Sequence, residues 1–204
     1  MKSVRPALII AAFVLSGCAS SGSGSSSDSS GWNPFSGLSW SSLSPFNWFG
    51  SALEVSEKGV GDINGSTAMT EQAIKQGLKG DYTLRKGMRS SNGEVLSFWQ
   101  ALDDGNVKLV IHGQSTVSSV EVTDEAIASA DGSKIGSKFS ERYSKAFGAC
   151  QKAHVAENSA VECKAPSSQH ISYVYSGDWH GPDDLMPSDD TLKNWTLSKI
   201  IWRR

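Results

Sequence analysis

The chain is short of cysteine and histidine, has no excess of basic residues, and carries no long apolar run after its first residues. Each shortage removes a class of function. There are four histidines, His112, His154, His170 and His180, and three cysteines. No His stands at metal-ligand spacing from another His or Cys, such as an i, i+4 pair on a helix, so no metal and no cofactor is expected. The formal net charge is −2, and removing Lys2 and Arg5 with an acid-free leader makes it −4. Nucleic acid demands a basic face, so it is excluded as a partner. No later segment supplies the roughly 18 consecutive apolar residues of a membrane helix. The familiar nucleophile signatures are missing as well: no Gly-x-Ser-x-Gly elbow, no Ser-x-x-Lys and no Walker loop. The string Gly61-Asp62-Ile63-Asn64-Gly65 has no dinucleotide fold around it.

What is present begins at the N-terminus. Lys2 and Arg5 form a positive region, and residues 7–15 form an uncharged apolar run. That run is too short to span a bilayer as a helix, but it suits the apolar core of a signal peptide. It leads into Leu15-Ser16-Gly17-Cys18, the lipobox pattern of a branched apolar residue, two small residues and cysteine. The Cys18 thiolate is the group that accepts a diacylglyceryl chain. Acylation of the freed amine completes a multi-chain, stable anchor. The expectation is therefore a signal peptide over residues 1–17 and a lipidated Cys18. Ala19 follows the cysteine where inner-membrane retention commonly uses aspartate, so the expected address is the periplasmic face of the outer membrane.

Residues 18–31 read as the lipidated cysteine and a tether. Eight serines and three glycines fill residues 19–31, a composition that cannot bury enough surface to order itself. As a flexible coil it spans roughly 20 Å. Residues 32–50 form an aromatic-rich arm with Trp32, Trp40, Trp48 and Phe49 among its rings and Pro34 and Pro45 between them. Two readings stand side by side. The arm either packs its rings on the domain, or it contacts a partner or the membrane, since exposed aromatic clusters mark binding surfaces.

Residues 51–204 read as one globular domain. A short helix is predicted over residues 70–78, with Thr70 as its N-cap and Gly77 as its weak point. Strands follow over residues 81–88, 94–102, 107–112 and 117–122, separated by turn residues at Ser91-Asn92-Gly93 and at residues 103–106. A second helix is predicted with Ser137 as N-cap, Phe139, Tyr143 and Phe147 at i, i+4 and i+8, and Gly148 as its stop. The last strands are residues 171–176 and 195–202. Strict alternation in the final strand would put Trp195, Leu197, Lys199 and Ile201 on one face and Thr196, Ser198, Ile200 and Trp202 on the other. The fold class is α+β: a mainly antiparallel sheet with two short helices packed on it and one disulfide. A faint echo links Ile63-Asn64-Gly65-Ser66 with Ile135-Gly136-Ser137, each leading into a helix and strands. It marks either a duplicated unit or the chance recurrence of Gly-Ser turns.

With Cys18 assigned to lipid, Cys150 and Cys163 remain as a pair in an oxidising compartment, so they are expected to form a structural disulfide. Redox chemistry prefers Cys-X-X-Cys spacing at a helix N-terminus, which the pair lacks. The most site-like stretch is residues 178–190, where Asp178, Asp183, Asp184, Asp189 and Asp190 accompany His180. These carboxylates are enough for calcium, yet the EF-hand order is missing. A solvated loop between strands, with Ser188 capping a helix, is the plainer reading.

Several segments carry a family likeness. They are Glu54-Val55-Ser56-Glu57-Lys58-Gly59-Val60-Gly61, Tyr143-Ser144-Lys145-Ala146-Phe147-Gly148, the spaced cysteines, Leu185-Met186-Pro187-Ser188-Asp189-Asp190-Thr191-Leu192-Lys193-Asn194-Trp195, and Ser198-Lys199-Ile200-Ile201-Trp202-Arg203-Arg204. Together they closely resemble the RpoE-regulated lipoproteins of enterobacteria (YfeY-like) over residues 46–204. The resemblance implies an envelope protein whose expression follows the extracytoplasmic stress response, and it carries over no catalytic residues. The expected function is non-catalytic: binding or supporting envelope components in the periplasm, with the membrane as partner through Cys18 and an envelope protein as a further partner. The alternative is a hydrolase or other enzyme acting on an envelope polymer or peptide, with its candidate groups in residues 178–190.

Overall fold

The computed structural model describes residues 53–80, 82–91, 93–153, 159–182 and 185–204. Cys18 and the arm residues Trp32, Trp40, Trp48 and Phe49 lie outside the described residues, as do His154, Asp183 and Asp184. Among the described residues no helix is long and apolar enough to cross a membrane.

The main sheet has eight strands built from two antiparallel meanders. The first comprises β3 (Thr83–Ser91), β4 (Glu94–Asp103), β5 (Asn106–Gly113) and β6 (Val117–Val122). The second comprises β8 (Cys150–Lys152), β9 (Ala160–Lys164), β10 (Ile171–Ser176) and β11 (Thr196–Arg203). They join through their last strands, β6 against β11, giving the order β3-β4-β5-β6-β11-β10-β9-β8. This topology has the symmetry of a repeated unit, four strands meeting four strands tail to tail. Ile63 and Ile135 each precede one meander, but only Ile63 leads into an α-helix, so the echo is not a repeated helix-plus-strands unit. A small sheet of β1 (Glu54–Ser56), β2 (Gly59–Val60) and β7 (Ala128–Ser129) pairs in the order β2-β1-β7, with β1 and β7 parallel.

Helix α1 (Glu71–Gly77) forms where expected. The Thr70 hydroxyl accepts from the Ala73 N–H at 3.3 Å, and Glu71 sits at the positive end of the helix dipole. Gly77 costs helix propensity but permits a close approach: a Cβ there would stand 2.6 Å from Ile63 Cγ1. Ile63, Ile74 and Leu78 are fully buried as a result.

One face of the sheet is apolar across its width. Ala101, Leu109, Val122, Ile200, Tyr173, Cys163 and Cys150 are successive cross-strand partners from β4 to β8, and they form one row facing the core. Trp99, Ile111, Val120, Trp202 and Ile171 form the next row. The helical segments and the small sheet pack there through Val55, Val60, Leu78, Phe139 and Leu192. At about 25 cal/mol per Å² of apolar area removed from water, these two rows form the main stabilising block of the domain.

Three expectations are corrected. The second helix does not form. Residues Phe139–Glu141 make only a 3-10 turn, and Phe147 is 89% exposed rather than in line with buried Phe139 and Tyr143. Tertiary pairing wins over periodicity: Gly136 N–H donates to Leu197 O, Phe139 N–H to Trp195 O and Leu197 N–H to Ser137 O, so this backbone is tied to the segment that leads into β11, and its own bonds stop after one turn. The second helix lies instead at α2 (Asp189–Leu192), whose Ser188 cap accepts from Thr191 N–H at 3.3 Å. Alternation in the final strand is also broken. A bulge opposite Val174 and Tyr175 places Leu197 on the core side with Ile200 and Trp202, and leaves Lys199 and Ile201 on the other side. Finally, the strand at residues 195–202 is observed as β11, one residue later, and β8 and β9 occupy the stretch read only as a disulfide loop.

Candidate functional site

The sheet's second face carries a different population. Phe98, His112, Ser119 and Arg203 are cross-strand partners there, and Lys199, Val174, Glu162 and Gln151 form another row. The buried apolar cluster on this face is limited to Ala160, Val174 and Ile201, with Ala153 against it. No described helix or strand packs over it.

Glu121 on β6 is the centre of this face. Its Oε1 lies 3.1 Å from His112 Nε2 and its Oε2 lies 3.0 Å from Lys199 Nζ, so both carboxylate oxygens are engaged. The hydrogen bond to His112 is the largest influence. Together with Lys199 it overcomes burial and holds the Glu121 carboxyl at about 2, below its ordinary 4.5. Next to it Arg203 forms a two-pronged pair with Glu162 at 2.6 and 3.2 Å and donates to Ser172 Oγ at 3.2 Å.

The Glu121 cluster predicts a pH dependence. The folded carboxyl titrates below its unfolded value, so its stabilisation is fully present above the ordinary carboxylate range and is lost as pH falls toward about 2. Glu121→Gln is expected to cost roughly 1–2 kcal/mol at neutral pH, after discounting for partial solvent screening. The gap between the two proteins should close by about pH 2–3 in urea titrations. A gap that does not change with pH would show that the carboxylate charge is not what stabilises.

Two grooves lie along this face. One, of about 530 Å³, is lined by Arg89, Leu96, Gln114, Glu121, Arg203 and Arg204, with serine and threonine hydroxyls between them. The other, of about 640 Å³, is lined by Cys150, Gln151, Glu162, Lys164, Gln169 and again Arg203. Arg203 is therefore shared, and the grooves meet at its side chain.

A second polar cluster sits on the core side. The Ser129 hydroxyl donates to Asp131 Oδ1 at 2.6 Å and lies 2.9 Å from the Tyr173 hydroxyl, while Arg142 Nη2 stands 3.5 Å from Asp131. Burial pushes the Asp131 carboxyl up, but hydrogen bonds from Ser129 and Ser133 outweigh it and the group stays below its usual range. Burial pushes the Tyr143, Tyr173 and Tyr175 hydroxyls up. Ser129 is 2% exposed and has no histidine in the cluster, so the geometry is that of a packed polar knot joining β7 to β10.

Cys150 and Cys163 are brought together as a disulfide, directly opposite each other on β8 and β9. The loop at residues 178–190 does not gather its described carboxylates. Asp189 Oδ1 accepts from Ala146 N–H at 2.7 Å, Asp190 pairs with Lys193 at 3.0 Å, and Asp178 and His180 are exposed. Among the described residues no three His, Cys, Asp or Glu side chains gather as a metal site. The residues that sequence reasoning missed are Arg89, Glu121, Lys199, Arg203 and Arg204. The available signal was the polar half of the β5, β6 and β11 patterns, which two bulges disguise.

Comparison with known proteins places this architecture. Over its whole length the chain is 51% identical across 205 residues to the uncharacterized protein YfeY of Escherichia coli strain K12, all of which is covered. The crystal structure of the uncharacterized protein yfeY from Escherichia coli superposes with a TM-score of 0.69 at 55% identity, covering 74% of this chain and 99% of that one. Residues 37–204 match the family described as "Protein of unknown function (DUF1131)". By both the extent of that match and the identity to its relative, this chain belongs to the DUF1131 family.

Proposed function

We propose that this protein is a lipoprotein of the extracytoplasmic stress response, anchored through Cys18 to the periplasmic face of the outer membrane. There it acts as a non-catalytic binding protein. The lipobox and the Ser/Gly tether support the address. The resemblance of the C-terminal segments to RpoE-regulated lipoproteins supports the stress response. The observation that carries the binding role is the second face of the sheet, over which no described helix or strand packs and whose two grooves both include Arg203 in their lining. A sheet face whose carboxylates are engaged, and on which no nucleophile, base and acid converge among the described residues, supports recognition over catalysis.

The test is a site-specific photo-crosslink scan in living cells during envelope stress. The crosslinker goes at Ser97, Gln114 and Gln169 in the grooves, and at Glu71 and Asp190 as exposed controls away from them. Discrete adducts from the groove positions alone are expected. Equal labelling everywhere, or adducts only from the controls, overturns the reading. Labelled palmitate incorporated by the natural protein and lost in Cys18→Ser tests the anchor separately.

A further inference from the structure

The charges on the second face of the sheet are arranged for a ligand of one sign. We infer that the paired grooves bind an acidic glycan, an extended sugar chain carrying carboxylate or phosphate groups. This rests on the reading of that face as a binding surface.

Accounting for charge in the first groove leads there. Its only side-chain carboxylate, Glu121, has both oxygens engaged by His112 and Lys199, so it offers nothing to a cationic ligand. Three guanidinium groups line the same space. Arg203 is committed to Glu162, but Arg204 touches only neutral oxygens, Gly65 O at 3.4 Å and Thr116 Oγ1 at 3.3 Å. Arg89 has no hydrogen-bond or ion-pair partner among the described residues. In the second groove Glu162 is likewise committed to Arg203, while the exposed Lys164 ammonium is free among the described residues. Both side-chain carboxylates that line the grooves are engaged and the uncommitted side-chain charges are cations, on a chain whose formal net charge is −2. Arginine forks match carboxylate and phosphate groups in a way no neutral ligand repays.

The spacing makes the ligand long. Arg89 on β3, Arg203 on β11 and Lys164 on β9 share one face, because they pair with Leu96, Ser119 and Ser172 respectively. From β3 to β9 there are six strand spacings, roughly 29 Å at about 4.8 Å each. One small molecule does not reach from Arg89 to Lys164.

The direction of the groove distinguishes a glycan from a peptide. Between its ends at the edge strands β3 and β8 it runs over the face of strands whose backbone groups already pair with neighbours on both sides. A peptide lying there would leave its own N–H and C=O groups without backbone partners, and peptide addition needs a sheet edge. A sugar chain has hydroxyls instead, and Ser97, Gln114, Thr116 and Ser119 can exchange hydrogen bonds with them.

The test is fluorescence anisotropy of labelled oligosaccharides with the full chain in detergent micelles. An oligogalacturonate of about eight sugars, with a carboxylate on every ring, is compared with maltooctaose, poly-glutamate and inorganic phosphate as competitor. Binding of the oligogalacturonate only is expected, weaker for a trimer, and falling about tenfold between low and physiological salt. Arg89→Ala should reduce affinity about tenfold, and Arg89→Lys should restore part of it. Arg89 has no described partner, so its loss leaves the fold intact; an unchanged melting curve confirms that. Stronger binding of poly-glutamate, equal binding of maltooctaose, or insensitivity to Arg89→Ala each overturns the glycan assignment. Groove-specific adducts with a protein in the crosslink scan would retain the binding surface while removing the glycan. Absence of adducts from the groove would remove both.

Discussion

Phe139→Ala is expected to lower the stability of the domain by about 3–5 kcal/mol, the range for removing a large buried ring. Phe139 is fully buried, with the Tyr143 ring stacked on it at 5.2 Å and the Tyr175 ring meeting it edge-on at 5.3 Å. Truncation removes both ring contacts and leaves a cavity that the three-residue 3-10 turn around it cannot fill, because its backbone is bonded to residues leading into and along β11. The informative control is Phe147→Ala. In a regular helix Phe139 and Phe147 would share a face and both substitutions would be costly. In the observed fold Phe147 is 89% exposed, and its loss should shift stability by no more than about 0.5 kcal/mol. Chemical denaturation of the two variants separates the alternatives. Comparable large losses would mean that this segment is helical after all.

That contrast shows what sequence can and cannot convey here. Local signals carried well where one residue decides a local bond: Thr70 and Ser188 both cap helices through their side chains. The β4 to β6 meander was also legible, because its apolar residues alternate and its turns are marked by Asp104-Gly105 and neighbouring polar residues. The Phe139, Tyr143, Phe147 spacing failed because periodicity cannot see a competitor elsewhere in the chain. There the competitor is the end of the chain, with Trp195 and Leu197 holding the backbone of Gly136, Ser137 and Phe139. Strict alternation failed in β11 and at the start of β6 because each contains an irregularity in register, and one extra residue exchanges the faces of everything beyond it. The second face was illegible for the same reason. His112, Glu121 and Lys199 are ordinary strand residues one by one, and only the register of β5, β6 and β11 puts a carboxylate between an imidazole and an ammonium group. The disulfide was legible by elimination. What elimination did not supply was the pair of strands it joins.

Removing that disulfide is expected to cost about 3 kcal/mol, the chain-entropy value for a closed loop of about 14 residues. Cys150 and Cys163 face each other across β8 and β9, and β8 is a three-residue strand at the sheet edge. So short a strand contributes few hydrogen bonds of its own, and the covalent link fixes its register from the core side, where Cys163 is fully buried. The Cys150→Ala, Cys163→Ala double variant should unfold at lower denaturant and with a steeper slope, because its unfolded chain exposes more surface than the cross-linked one. Hydrogen exchange should localise the native-state effect. Amides of Ala149, Cys150 and Lys164 should lose protection, since Cys150 N–H is held by Ala146 O and Lys164 N–H by Ala149 O in this corner, whereas β4 and β5 should keep theirs. The second groove, lined by Cys150 and Gln151, would then loosen while the Glu121 network stays in place. A double variant within about 0.5 kcal/mol of the natural protein would mean that the strand pairing holds this edge without the covalent link. The entropic account of the disulfide would then fail for this loop.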